Sequence, residues 1–138
     1  MIYSLGIDII EIDRIRDAMR RHPGMARRLF TERERAYCEG RGDPAAHFAA
    51  RFAAKEAMAK AVGHWLRWQE VEVVNEPSGR PSISLSGEAA ARAHVAQGGR
   101  VLVSLSHSRD YAVGCVALVG PQEMPWFDEK LPPGSVCV

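Results

Sequence analysis

The stretch from Ala45 to Val62 constrains the fold more than any other part of the chain. It is rich in alanine, the best helix former, and Gly63 ends it. It is expected to be the longest helix. The segments before it are also helical in pattern. A helix over Asp13 to Arg21 has Ile12, Ile15 and Met19 on one face and stops at Pro23-Gly24. Met25 to Phe30 adds a short helical turn, and Thr31-Glu32-Arg33-Glu34 has capping-box spacing for a further helix. Gly40, Gly42 and Pro44 then break the chain before the long helix.

Strand patterns lie at the two ends of this helical block. Ile2 to Ile7 is a short apolar run that predicts a buried strand. Glu70 to Asn75 and the alternating Ser82 to Ser86 flank a turn at Glu76 to Pro81. Ser86 can cap a short helix over Gly87 to Ala96, and Gly98-Gly99 forms a turn. Val101 to Ser106 and Tyr111 to Val119 predict a hairpin around His107-Ser108-Arg109-Asp110. Helices first and antiparallel strands later argue for an α+β fold, helices packed on a small antiparallel sheet. With 138 residues the chain is expected to hold one domain, over 1–120. The tail 121–138, with four prolines and no periodicity, is expected to be an irregular extension.

Composition excludes several classes of function. A net charge of +1 gives no global mark of a nucleic-acid binder. No apolar run is long enough to span a membrane, and Met1-Ile2-Tyr3 leads into a strand without a basic leader. Cys38, Cys115 and Cys137 are odd in number and far apart, which suits a reducing cytoplasm and offers neither a disulfide framework nor a zinc pattern.

Two carboxylates carry the chemical signal. Asp8 lies between Ile7 and Ile9, where an acid is costly to bury unless it is paired or holds a metal. Glu56 sits in the middle of the alanine-rich helix. Two hard oxygen ligands from separate elements suit a magnesium ion on a phosphorylated substrate. Ala49, Ala53, Glu56, Lys60 and Gly63 are spaced four, three, four and three, so they share one stripe. Its small residues would let a bulky ligand lie close, with Glu56 on a metal and Lys60 on a phosphate oxygen. By spacing alone, Glu56 and Lys60 also read as an i,i+4 pair worth ~0.2–0.5 kcal/mol, and Asp8 as a helix cap or turn residue, although Ile9 and Ile10 after it are not the neighbours an exposed cap needs. His107 falls at a strand end beside a turn, a place that often carries function. Ser106 and His107, adjacent on a strand, point to opposite faces and make no dyad. Arg14 and Arg21 share a face of the first helix, and Arg16, Arg20, Arg27 and Arg28 thicken a basic patch able to steer an acidic partner or simply to face solvent.

Taken together, Gly6-Ile7-Asp8-Ile9-Ile10-Glu11-Ile12 and Phe48-Ala49-Ala50-Arg51-Phe52-Ala53-Ala54-Lys55-Glu56-Ala57 closely resemble the holo-acyl-carrier-protein synthase family, the short, trimeric 4′-phosphopantetheinyl transferases. Asn75 with Gly79-Arg80-Pro81 resembles the family's turn before its next strand. Ser104-Leu105-Ser106-His107 with Asp110-Tyr111-Ala112 resembles its C-terminal hairpin. The resemblance covers roughly residues 1–120 and does not extend into the tail.

The resemblance implies transfer of phosphopantetheine from coenzyme A to a serine of an apo acyl carrier protein, leaving adenosine 3′,5′-bisphosphate. It implies Asp8 and Glu56 as ligands of magnesium, or of manganese, which accepts the same oxygens. Lys60 matches the lysine near the β-phosphate and leaving group. Arg51, Gly63, Pro81, Ser106, His107 and Ser108 match positions lining the coenzyme pocket, with His107 near the nucleotide phosphates. Arg14 and Arg21 match the helix that docks on the carrier. Glu56, directly or through a water on the metal, is the candidate base. A homotrimer is implied, with active sites between subunits and a neighbour supplying the segment near Pro81. Two rival readings remain at this point. A metal-dependent hydrolase of a nucleotide diphosphate would turn over coenzyme A without an acceptor, and a non-catalytic module would bind carrier but not coenzyme A.

Overall fold

The computed structural model describes residues 1–120. The expected irregular tail, with Trp126 and Cys137, lies outside the described residues. Among the described residues, five strands and five α-helices run in the order β1 (Ile2–Glu11), α1 (Ile12–Arg21), α2 (Met25–Leu29), α3 (Glu32–Glu39), α4 (Pro44–Val62), β2 (Val71–Asn75), β3 (Pro81–Leu85), α5 (Gly87–Arg92), β4 (Arg100–His107) and β5 (Tyr111–Val119). The strands form two antiparallel sheets rather than one: β1-β5-β4 and the β2-β3 hairpin. The α+β class is confirmed.

Local chemistry explains most element ends. Thr31 caps α3 with the full capping box: its hydroxyl accepts the Glu34 N–H, and Glu34 accepts the Thr31 N–H. Pro44 opens α4, and Gly63, at φ 67°, closes it in the left-handed region that glycine tolerates. Ile12 and Ile15 are buried and Met19 packs against the same cluster, as the α1 spacing predicts. Two expectations fail. Ser86 makes no side-chain cap, and α5 stops at Arg92. A left-handed residue at His94 and a short 3-10 turn over Val95–Gln97 replace its expected second half.

The long helix lies across β1 and β5, and its alanines decide how closely. A Cβ on Gly6 would overlap the Ala57 carbonyl oxygen, and one on Gly114 would come within 2.5 Å of the Ala54 nitrogen. Ala49, Ala53, Ala54 and Ala57 are fully buried. Of the stripe's small residues, Ala49 and Ala53 are buried in the core and Ala53 meets Gly114, so these two make room for packing rather than for a bulky ligand, while Gly63 stays exposed. Gly6→Ala is expected to push α4 off β1 and to cost about 1–3 kcal/mol through overpacking. A thermal melt reads this, and an unchanged midpoint would contradict the packing.

The first strand is longer than expected and buried on one side only. Ser4, Gly6, Asp8 and Ile10 face α4, and the Ser4 hydroxyl donates to the Ala61 carbonyl at 2.6 Å. Leu5, Ile7 and Ile9 point to the other face and are each more than 60% exposed. Among the described residues, the expectation of a buried strand thus fails on this face.

Candidate active site

The close approach at Gly6 positions the two acids. Asp8 is two residues along β1 on the same side, so its carboxylate also faces α4. The Lys60 ammonium donates to Asp8 Oδ1 at 2.9 Å and to the Ile7 carbonyl at 3.1 Å. Asp8 and Glu56 both line one cleft of about 520 Å³, together with Glu11, Arg14, Phe52 and Tyr111. Asp8 therefore sits mid-strand, not at a helix cap, and Lys60 pairs with it across elements.

Electrostatics tie the acids together. Partial burial pushes the Glu56 carboxyl up, the facing charge of Asp8 pushes it further, and Lys60 offsets part of the rise. One lysine does not balance two carboxylates. The pair offers hard oxygen donors with excess negative charge, the chemistry a magnesium-sized cation fits. Among the described residues, no cluster of three or more acid, histidine or cysteine side chains stands ready as a metal cage. Magnesium does not need one: it keeps several waters and is held by one or two carboxylates plus substrate phosphates.

The residue before Glu56 fixes how α4 is turned. Lys55 is 2% exposed and spends its three donors on Glu34 Oε1 (2.7 Å), the Trp68 carbonyl (2.8 Å) and the Val71 carbonyl (2.6 Å). Glu34 also accepts the Val73 N–H at 3.0 Å. This buried pair clamps α4 to α3, to the 3-10 turn at Trp68–Glu70 and to β2, so Glu56 is directed toward the cleft. Sequence reasoning gave Lys55 no role and Glu34 only its cap. The available signal was a lone lysine among alanines, a residue that is seldom fully buried unless paired.

The other site residues lie apart from the acids. Arg51 is buried, donates to Asn75 Oδ1 at 2.6 Å and sits 4.0 Å from the centroid of the Tyr37 ring. Its Nε is buried without a partner. Arg41 stacks on the same ring at 4.1 Å. His47 contacts both the Tyr37 and His107 rings, and burial, with the charges of Arg51 and His107 nearby, holds its imidazole below the ordinary value. Pro81 pairs with Asn75 at the end of the β2-β3 hairpin. Arg51, His107 and Pro81 thus gather around a cationic and aromatic group that does not line the Asp8–Glu56 cleft. Ser106 is exposed and pairs with Val113, while His107 approaches His47 of α4. Ser108 closes the hairpin through Tyr111. Gly63 is the α4 cap and does not line the cleft either.

The basic helix divides in two. Arg16 pairs with Asp13 and Asp43, and Arg20 with Asp17. Arg14 and Arg21 enter no ion pair among the described residues, and Arg14 lines the cleft itself. Cys38 is buried, which pushes its thiol up to about 12, and so is not reactive. No helix among the described residues is long and apolar enough to cross a membrane.

The family model described as the 4′-phosphopantetheinyl transferase superfamily matches residues 4–116. A holo-[acyl-carrier-protein] synthase of Syntrophotalea carbinolica is 45% identical over 85% of this chain and 95% of its own. That of Moorella thermoacetica is 48% identical over 83% of this chain and 91% of its own. Among solved structures, the holo-(acyl-carrier-protein) synthase of Bacillus anthracis in complex with CoA (3′,5′-ADP) superposes with a TM-score of 0.73 at 35% identity, covering 88% of this chain and 99% of that one. The Neisseria meningitidis synthase gives 0.75 at 32% identity, over 86% and 99%.

Proposed function

The chain belongs to the 4′-phosphopantetheinyl transferase superfamily, and from that premise we propose that it moves phosphopantetheine from coenzyme A to a serine of an apo acyl carrier protein in a magnesium-dependent reaction. The observation that carries this reading is the convergence of Asp8 from β1 and Glu56 from α4 on one cleft that Arg14 also lines, with Lys60 paired to Asp8.

Asp8 and Glu56 would hold the cation, which neutralises charge on the coenzyme diphosphate when bound. The serine hydroxyl attacks the β-phosphorus, a new P–O bond forms, and the P–O bond to adenosine 3′,5′-bisphosphate breaks. Glu56 accepts the serine proton; its raised pKa brings it nearer to a useful base than an exposed carboxylate. Lys60 keeps Asp8 oriented through one donor and has another to offer the leaving phosphate. Arg51 and His107, with Tyr37 and Asn75, suit the nucleotide phosphates and base. Gly63, Pro81, Ser106 and Ser108 complete the coenzyme pocket only if two chains meet.

Two observations support the homotrimer. The coenzyme residues and the acids occupy separate places on one chain. The outer face of β1-β5-β4 also presents Leu5, Ile7, Ile9 and Leu102 to solvent, a patch that association would bury. Ile7→Glu is expected to dissociate the assembly and abolish transfer together, by sedimentation and by assay. A monodisperse trimer in that variant would contradict the interface. A cytoplasmic location suits unpaired thiols such as Cys38 and Cys115.

The carrier approaches along α1. Arg14→Glu and Arg21→Glu are expected to raise the carrier KM about tenfold each and to leave coenzyme A binding nearly unchanged. The whole reading is tested by incubating protein, coenzyme A, magnesium and apo carrier and weighing the carrier. Gain of one phosphopantetheine arm is expected. Coenzyme A breakdown without any gain would favour the hydrolase.

A further inference from the structure

Trp65 is 65% exposed on the loop that leaves α4, although its neighbours are fixed. Gly63 turns the chain, Leu66 is buried, and Trp68 stacks on Phe52 with ring centroids 5.4 Å apart. Gln69 Nε2 donates to the Arg27 carbonyl at 2.7 Å, tying the loop to α2. The loop is therefore held in place while its largest side chain faces solvent, and nothing in the fold needs that indole outside.

The surroundings of Trp65 connect it to the reacting centre. A small recess runs from Glu56 and Ala59 on α4 to Trp65, Arg67 and Trp68. Beyond it, Trp65, Arg67, Trp68 and Gln69 form an open groove of about 640 Å³ with Arg28 of α2. Phe52, which stacks on Trp68, also lines the Asp8–Glu56 cleft. Glu56 thus has Arg14 on one flank and Trp65 with Arg67 on the other.

Charge indicates what the groove receives. Arg28 and Arg67 enter no ion pair among the described residues. Arg67 acts at a distance on Glu88, which itself pairs with Arg92. Glu70 also lines the groove, but its carboxylate accepts the Ala89 N–H at 3.2 Å. An exposed tryptophan between two arginines is the composition of a protein-binding hot spot. The groove is open along its length, which suits the flank of a folded partner better than an enclosed small molecule.

We propose that Trp65 and Arg67, with Arg28, form a second docking wall for the acidic acyl carrier protein, which lies against them while its serine reaches Glu56. This rests on the transferase reading above and extends the carrier footprint beyond α1. Trp65 supplies apolar anchoring, and Arg67 and Arg28 supply steering and register.

The test uses the full chain, coenzyme A, magnesium and apo carrier. Trp65→Ala and Arg67→Glu are each expected to raise the carrier KM about tenfold, with kcat and calorimetric coenzyme A affinity within about twofold of the parent. Both side chains are exposed, so the melting midpoint should hold. The Arg67→Glu effect should shrink as salt is raised. An unchanged carrier KM in both variants, with the parent active, overturns this proposal and leaves the transferase reading standing. Loss of coenzyme A affinity at constant carrier KM assigns the groove to the coenzyme and overturns it too. A change of oligomeric state in Trp65→Ala assigns the groove to a second copy of this chain, with the same consequence. A parent protein that never modifies a carrier overturns both.

Discussion

Glu56→Gln is expected to lower phosphopantetheine transfer by about 10²–10⁴-fold while leaving the fold intact, and Asp8→Asn to do the same. Each change keeps shape and hydrogen bonding but removes one of the two carboxylates that meet in the cleft. Glu56 loses more than a donor to a cation, because it is also the proton acceptor in the proposed step. Its pKa supplies a sign that can be checked without turnover. Burial and Asp8 raise the folded value above the ordinary carboxylate value. In cation-free protein this contribution to stability is fully present below the ordinary value and is lost as pH rises through the folded one. Magnesium should therefore raise the melting midpoint at neutral pH. The gain should fade as pH drops into the Glu56 range and vanish in Glu56→Gln. Near-parental transfer by either variant would remove the acid pair from the mechanism.

Lys55→Ala is expected to cost about 3–5 kcal/mol of stability, because it leaves Glu34 charged and alone in the core. The pair is almost wholly buried, with side chains 1% and 0% exposed, so solvent cannot repair the loss. Two backbone carbonyls, of Trp68 and Val71, lose their donor as well. Adding Glu34→Gln to Lys55→Met should recover part of the deficit, since no orphan charge then remains. Glu34 would still be needed at the Thr31 cap and at the Val73 N–H, so recovery should be incomplete. Urea unfolding measures both. A cost under about 1 kcal/mol for Lys55→Ala, the size of an ordinary surface change, would show that the clamp does not hold α4 in place.

These two sites differ in how far the sequence revealed them. Asp8 and Glu56 were legible because each stands in a short motif whose neighbours are apolar or alanine, a setting that asks why a charge is there. The Thr31 capping box was legible because it is a four-residue device closed within itself. Lys55 was not, since its partners Glu34, Trp68 and Val71 come from three other elements and no spacing connects them. The α4 alanines were seen but assigned to the wrong neighbour. Periodicity places Ala49 and Ala53 on a stripe, and only Gly114 on the facing strand shows that a sheet fills the space at Ala53.

A similar limit explains the strand at the start of the chain. An apolar run implies burial, yet Leu5, Ile7 and Ile9 face outward on a sheet whose outer face the described residues do not cover. The Ser86 cap failed for a different reason: the Ala89 N–H that its hydroxyl would accept donates instead to the Glu70 carboxylate. Arg51, Pro81 and His107 were picked out by motif, but their separation from the acids was not readable, because it depends on how α3, α4, β2-β3 and β4 pack, and no spacing connects those elements.

The most direct measurement is a calorimetric titration of coenzyme A into the protein with magnesium, with a chelator, and in Asp8→Asn and Glu56→Gln. Two carboxylates acting together through a cation predict tight binding only with magnesium and weakened binding in both variants. Equal coenzyme A affinity with and without the metal, unchanged by either substitution, would contradict the account at its centre.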